Sequence, residues 1–282
     1  MQGAVFRVGG GKVAKVWFHS PRAELERLQR LYAEVRLAFR TPEIVEIHQG
    51  PRWVVSVEVE LPGRPLHEVA PEFGQAGWTA GRDCVIEVVA ELAAAPAPPA
   101  LFAMSVLDES EPFRRPQQGW TEALGELLVR RVATYGDQLE RLVDDFGNRL
   151  DCLQQRLKGL TEAGQLVHGD VTAGNILVDD DLRPLSVIDF GLLSMPGDPV
   201  FDAASAAALY ALWSPETRAI EADFDVAITE RLGYDADDLL TYRAVHALLV
   251  GNAHDADPFG RDSGVPLTAT LLNDPLYADF LS

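Results

Sequence analysis

The segment QLVHGDVTAGNILVDDDLRPLSVIDFG, residues 165–191, limits what this chain can fold into more than any other feature. It is a strand-rich island inside a mostly helical stretch. Ile176, Leu177 and Val178 form one β-type run, Asp179, Asp180 and Asp181 supply turn residues, and Pro184 to Asp189 forms a second run, so the pattern predicts a short hairpin over Ile176–Ile188. That hairpin brings its two flanks together. Asn175 lies five residues after Asp170, and Asp189 lies fourteen residues beyond Asn175. An amide and a carboxylate from opposite strands of one hairpin are the hard oxygen ligands that suit Mg2+. A further carboxylate beside them, Asp170, is the type of group that orients a hydroxyl and accepts its proton. Each triplet, His168-Gly169-Asp170 or Asp189-Phe190-Gly191, is common by itself. The order, the two gaps and the intervening hairpin together are specific.

Around this island the composition is globular. Of 282 residues 47% are apolar and 24% charged, which is enough to bury a full core in one large domain or two lobes. The 43 acidic residues against 24 basic ones give a net charge of −19. Such a surface opposes wrapping by nucleic acid or docking on an anionic membrane, and it welcomes a cationic ligand. Cys84 and Cys152 are far apart and outside any metal-binding spacing, so they read as reduced thiols. The start lacks a basic flank followed by an apolar stretch. The most apolar region, Val88 to Leu107, is broken by Glu91, Pro96, Pro98 and Pro99. The expectation is a cytoplasmic protein, monomer or homodimer.

Two β-type runs, Ala4–Val8 and Lys12–Phe18, flank Gly9-Gly10-Gly11 and predict a hairpin. Ser20-Pro21 then offers a helix start, with Ser20 as cap, and Leu25, Leu28, Leu31, Val35 and Ala38 follow at helical spacing until Thr41-Pro42. Ile44–His48 and Trp53–Glu60 read as two further strands. Beyond Leu61-Pro62-Gly63 the pattern turns helical, over 83–94, 121–134, 137–157, 199–213 and 237–250. The boundary between a β-rich and an α-rich part therefore falls near residue 62.

The run VHGDVTAGNILVDDDLRPLSVIDFG, followed by GDPVFDAA, resembles the aminoglycoside phosphotransferase superfamily, whose catalytic loop carries HGD where ordinary protein kinases carry HRD. The resemblance implies an α+β, two-lobed protein-kinase-like fold. Residues 1–62 would form a small, shortened antiparallel nucleotide-binding lobe with its connector, and residues 63–282 a larger, mainly helical lobe. It implies transfer of the γ-phosphate of ATP or GTP to a hydroxyl of a small molecule. Asp170 would be the catalytic base and Asn175 and Asp189 would hold Mg2+. His168 and Asp202 would brace the loop. The superfamily's acceptors are diverse, so drug resistance, salvage and biosynthesis all stay open as purposes.

In the first lobe, Lys15 in VAKVWF resembles the strand lysine that holds the phosphates, and Glu24 in AELERLQRL the helix glutamate that pairs with it, with Glu26 a second candidate. VEVELPGRPL resembles the connector, where backbone groups of Glu58, Val59, Glu60 and Leu61 would meet the base. Glu221, Asp223 and Asp225 are candidates to line a cationic acceptor's pocket. Lys15 lies too near the start for a full phosphate-covering hairpin ahead of it, and Gly9-Gly10-Gly11 joins directly to the lysine strand, so the turn reads as a plain hairpin turn. That departure carries a second expectation from another class, a catalytically weak nucleotide-binding pseudokinase acting as sensor or scaffold. A protein kinase is disfavoured by HGD and by the absence of an APE-like element after DFG.

Overall fold

In the computed structural model the described residues are 3–107, 109–211, 216–253 and 264–282. The chain packs as two compact units: Met1–Phe113 with Gln165–Asp202, and Arg114–Gly164 with Ala203–Ser282.

The first unit opens with strands β1 (Gly3–Gly9) and β2 (Lys12–Trp17), an antiparallel hairpin. Gly9, Gly10 and Gly11 all have positive φ (85°, 63° and 68°), a run that only glycine adopts without steric cost. Helix α1 (Arg22–Glu34) follows. Pro21, not Ser20, is the residue flanking its start, and no side chain caps it. The helix also ends a turn before the expected Ala38. Val35 turns extended and buries its side chain, while the Arg36 guanidinium donates to the carbonyls of Ala33 and Val35 at the freed end. Leu25, Leu28 and Leu31 form the buried face, each contributing roughly 1.5–3 kcal/mol by leaving water. Strands β3 (Ile44–Gln49) and β4 (Val54–Val59) complete a four-stranded antiparallel sheet of order β1-β2-β4-β3.

After β5 (Arg64–Pro65), the short α2 (Leu66–Val69) and α3 (Gln75–Ala94), the chain leaves this unit and re-enters it at β6 (Gln165–Val167). The expected hairpin forms as β7 (Ile176–Val178) and β8 (Pro184–Val187), with Ile176 opposite Val187. Its turn is tied by Asp179, whose Oδ1 accepts the amides of Asp181 and Arg183, both at 2.9 Å. Strand β5 pairs with the outer side of β7. On the free side of β8, Arg40 forms an isolated parallel bridge: its amide donates to Leu185 O (3.0 Å) and its carbonyl accepts from Val187 N (2.9 Å). Strand β9 (Met195–Gly197) pairs with β6.

The second unit is helical. It holds α4 (Trp120–Leu142), α5 (Phe146–Gly159), most of α6 (Val200–Ala211), α7 (Thr217–Leu232), α8 (Ala236–Val250), α9 (Gly264–Asn273) and α10 (Pro275–Phe280). Trp120 and Tyr242 anchor its core, both fully buried, with the indole N–H donating to the phenol at 2.9 Å. The break between α4 and α5 falls at Val143–Asp145 and not between the expected runs at 135–136, and Asp145 is left-handed (φ 54°). The last residues of the helix expected over 199–213, Leu212 and Trp213, lie outside the described residues. Among the described residues no helix is long and apolar enough to cross a membrane.

Candidate active site

Strand β6 delivers the chain into His168-Gly169-Asp170, and a buried carboxylate fixes the loop there. Asp202, in the first turn of α6, accepts the amides of His168 (2.8 Å) and Gly169 (2.7 Å), one on each oxygen. Complete burial pushes the Asp202 carboxyl up to about 7, against the pull of those two donors. The His168 ring is buried too. Its Nε2 lies 3.0 Å from Ile188 O, which can only accept, so Nε2 carries the proton and Nδ1 accepts the Asp170 amide at 3.2 Å. Burial holds this imidazole neutral, down to about 4. With the Phe190 ring 4.3 Å from its centre, His168 braces backbone on both sides and is not placed to move a proton. Gly169 has φ 79°, and a Cβ there would overlap Leu193. Ser194 closes the loop from beyond the aspartate, donating to His168 O at 2.9 Å and accepting the Gly191 amide at 2.8 Å.

Asp170 is held from one side by Asn175, whose Nδ2 donates to the Asp170 carbonyl (2.9 Å) and to its Oδ2 (3.0 Å). Both N–H groups being so directed, the Asn175 carbonyl oxygen is the atom left to face a ligand. The Asn175 backbone carbonyl accepts from Ile188 N at 2.9 Å, which is how the hairpin sets this residue against the Asp189 flank. Burial first, and the nearby Asp189 charge second, raise the Asp170 carboxyl to about 6, against the pull of the Asn175 hydrogen bond.

Asp189 has φ 66°, a left-handed conformation that a non-glycine residue holds only under constraint. Its side chain is 43% exposed and its Oδ1 is ion-paired with Lys15 Nζ, a contact spanning 174 residues of sequence. Lys15 lies over the Trp17 ring, 4.1 Å from its centre. The structure thus brings Lys15, Asp170, Asn175 and Asp189 into one site. No ion pair joins Lys15 to Glu24 or Glu26 among the described residues. Glu26 instead pairs with Arg22, and Glu24 lines a small pocket with Trp17, Ser20, Gly191 and Leu192.

The expected base-binding stretch differs from its sequence picture. Glu58 and Val59 belong to β4, paired with Val13 and Lys12. The Val59 amide donates to Glu43 O and the Glu60 amide to Gly11 O, while the Glu60 carboxylate takes Arg7 at 2.7 Å. These two amides are engaged within the protein, and Leu61 follows them. The Glu58 side chain instead accepts from Ser56 Oγ at 2.5 Å, with its carboxyl raised by burial. Two of the three acidic residues considered for an acceptor pocket are neutralised internally. Glu221 is buried against Arg218, and Asp225 forms a two-pronged pair with the buried Arg243.

The donor set fits magnesium. Asp170 and Asp189 repel each other across the loop, so a cation between them is welcome, and one exposed carboxylate with one amide oxygen matches an ion that keeps waters and phosphate oxygens for its other positions. Among the described residues no cluster of three or more His, Cys, Asp or Glu side chains competes as a metal site. Tyr32 and Ser194 were not legible from sequence as part of this site. Tyr32 packs edge-on against Phe190 at 6.0 Å from the buried face of α1, and the apolar spacing of that helix did not single it out.

A family model for a phosphotransferase enzyme family, APH, matches residues 4–245. Among solved structures, a thermostable variant of the aminoglycoside phosphotransferase APH(4)-Ia in ternary complex with ADP and hygromycin B aligns with a TM-score of 0.70 at 19% identity, over 98% of this chain and 88% of that one. A macrolide 2'-phosphotransferase type I aligns at 0.54 and 19% identity, over 96% and 91%. An aminoglycoside phosphotransferase APH(3'')-Id from Streptomyces rimosus, in complex with ADP and streptomycin, aligns at 0.50 and 19%, over 87% and 90%. No curated protein sequence matches. At these identities the structural likeness speaks to the fold, a small antiparallel sheet ahead of a larger helical part.

Proposed function

Because the chain belongs to the phosphotransferase enzyme family, and is thereby a kinase-type enzyme acting on small molecules, we propose that it moves the γ-phosphate of ATP or GTP onto a hydroxyl of a small, amine-bearing acceptor. The observation that carries this reading is the Asp170–Asn175 pairing beside Asp189 and Lys15. Asp170 orients the acceptor hydroxyl and takes its proton as the new O–P bond forms and the bond from the γ-phosphorus to the β,γ-bridging oxygen breaks, releasing ADP or GDP; its raised carboxyl is a better base for that purpose than an ordinary aspartate. Lys15 holds the phosphates of the nucleotide. Asn175 Oδ1 and Asp189 would hold Mg2+, which when bound offsets the charge on the transferring phosphoryl oxygens. Asp202 and His168 keep the loop from yielding. Catalysis is then mainly positioning and charge neutralisation.

We assign residues 1–62 to the nucleotide lobe and its connector, with Leu61 the remaining amide toward the base, and residues 63–282 to the lobe that carries the catalytic hairpin. The cationic acceptor follows from the net charge of −19 and from relatives that bind hygromycin B and streptomycin. The enzyme is placed in the cytoplasm as a monomer or homodimer. A pseudokinase reading draws on the Lys15–Asp189 pair, which occupies both residues.

Mass spectrometry of products decides between them, with Mg2+, ATP or GTP, and a panel of aminoglycosides, amino sugars and amino alcohols. Under the transferase reading one acceptor class gains one phosphate, and Asp170→Asn lowers that rate by about 10²–10⁴-fold. Nucleotide binding with no transfer to any compound, by wild type and variant alike, supports the sensor.

A further inference from the structure

Lys15 needs a carboxylate to hold it once Asp189 turns toward a metal ion, and no ion pair joins it to a glutamate of α1 among the described residues. The face of α1 toward Phe190 carries Leu25, Leu28 and Tyr32. Glu24 lines the same small pocket as Trp17, Leu25, Leu28 and Phe190, but it has no ion pair to Lys15 among the described residues. Strand β4 does offer a carboxylate. Lys15 is directly opposite Ser56, so Glu58, two residues on, shares its face of the sheet as a diagonal neighbour. Such neighbours lie about 7–8 Å apart at Cα, within reach of two long side chains.

The Glu58 side chain is also aimed. Trp17 Nε1 donates to Ser56 Oγ at 2.9 Å, and Ser56 in turn donates its single proton to Glu58 Oε1 at 2.5 Å. This relay fixes one carboxylate oxygen and leaves the other. The same Trp17 ring underlies the Lys15 ammonium. We propose that Glu58 is the positioning residue that holds Lys15 during phosphoryl transfer, in the place expected for the helix glutamate Glu24. The proposal rests on the transferase reading above. When Asp189 releases Lys15, one ammonium N–H passes to Glu58 and two stay available to phosphate oxygens. The electrostatic attraction between Glu58 and Lys15 runs in the same direction.

Two experiments test this. A crystal structure of Asp189→Asn, which needs no turnover, is expected to show Lys15 Nζ paired with Glu58. Lys15 paired with Glu24, or with neither glutamate, overturns the proposal. In kinetics, Glu58→Gln keeps the Ser56 bond and removes the charge. It is expected to lower kcat about tenfold while the acceptor KM moves less than about twofold, with Glu24→Gln near wild type and Glu58→Asp recovering part of the loss. A loss equal in Glu24→Gln and Glu58→Gln, or no loss in Glu58→Gln, also overturns it. Thermal melts of each variant separate misfolding from the kinetic effect. A wild type that transfers no phosphate while Asp189→Asn shows the Lys15–Glu58 pair sinks the transferase reading and leaves the pairing standing.

Discussion

At the scale of single residues the candidate site is a set of competing carboxylates. As the proposed base, Asp170 must be ionised to accept a proton, and its carboxyl lies up at about 6. The expected kcat/KM profile therefore falls below pH about 6, because this quantity reports the free enzyme. A bound cation favours the ionised form, so the acidic limb of kcat should lie at lower pH than that of kcat/KM. Coincident limbs would assign the titration to another group. His168 and Asp202 act on stability with opposite sign. His168 falls from 6.5 unfolded to about 4 folded, so the native state binds fewer protons and stability rises with pH between those values. Asp202 rises from 3.8 to about 7, so the native state binds more protons and stability falls as pH climbs toward 7. The two oppose each other from about pH 4 to 6.5. Asp202→Asn is expected to remove the falling contribution, so its Tm relative to wild type should climb between pH 4.5 and 6.5. A constant Tm difference would place the proton elsewhere. Gly169 is required for a different reason. Its positive φ and its contact with Leu193 leave no room for a side chain, and Gly169→Ala is expected to cost about 2–4 kcal/mol in a denaturant titration.

Among the elements, the hairpin β7–β8 was fully legible. Its two runs and its Asp-rich turn are local, and local hydrogen bonding by Asp179 decides the register. Asp179→Ala removes the acceptor of two amides, with an expected loss of about 1–2 kcal/mol and looser metal binding, checked by urea unfolding and by Mg2+ titration of nucleotide affinity. Helix α4 was less legible. The pattern reads as two runs either side of 135–136, but the buried face of Leu127, Leu128, Val132, Tyr135 and Leu139 carries the helix through, and Gly136 costs only about 1 kcal/mol against alanine. The pairing of Lys15 was not legible at all. Which carboxylate meets a strand lysine depends on the rotation of α1 and on a contact 174 residues away, and neither leaves a periodic mark in sequence. Sequence spacing set Asp170, Asn175 and Asp189 around one hairpin but left no mark of the partners each would take.

For the whole molecule, the sequence boundary near residue 62 follows composition, whereas packing groups the small sheet with the catalytic hairpin in one unit and most of the remaining helices in the other. Chain order could not reveal this, because the hairpin returns to the first unit after a helical excursion of some fifty residues, 114–164. The charge of −19 acts at this scale too. If the acceptor is a polycation, its KM should rise severalfold between low and physiological salt, since screening at about 8 Å removes long-range attraction. A neutral acceptor would show a flat salt dependence.

The bridge at Arg40 gives the hairpin a neighbour on each side, with β5 against β7 and Arg40 against β8, so neither strand has a bare edge. The Val187 amide is thus locked by a residue from just beyond α1. Deuterium exchange at Val187 can proceed only when that residue lets go. The catalytic hairpin and the chain leaving α1 therefore open as one cooperative element, and a bound nucleotide that stiffens either should slow exchange at both.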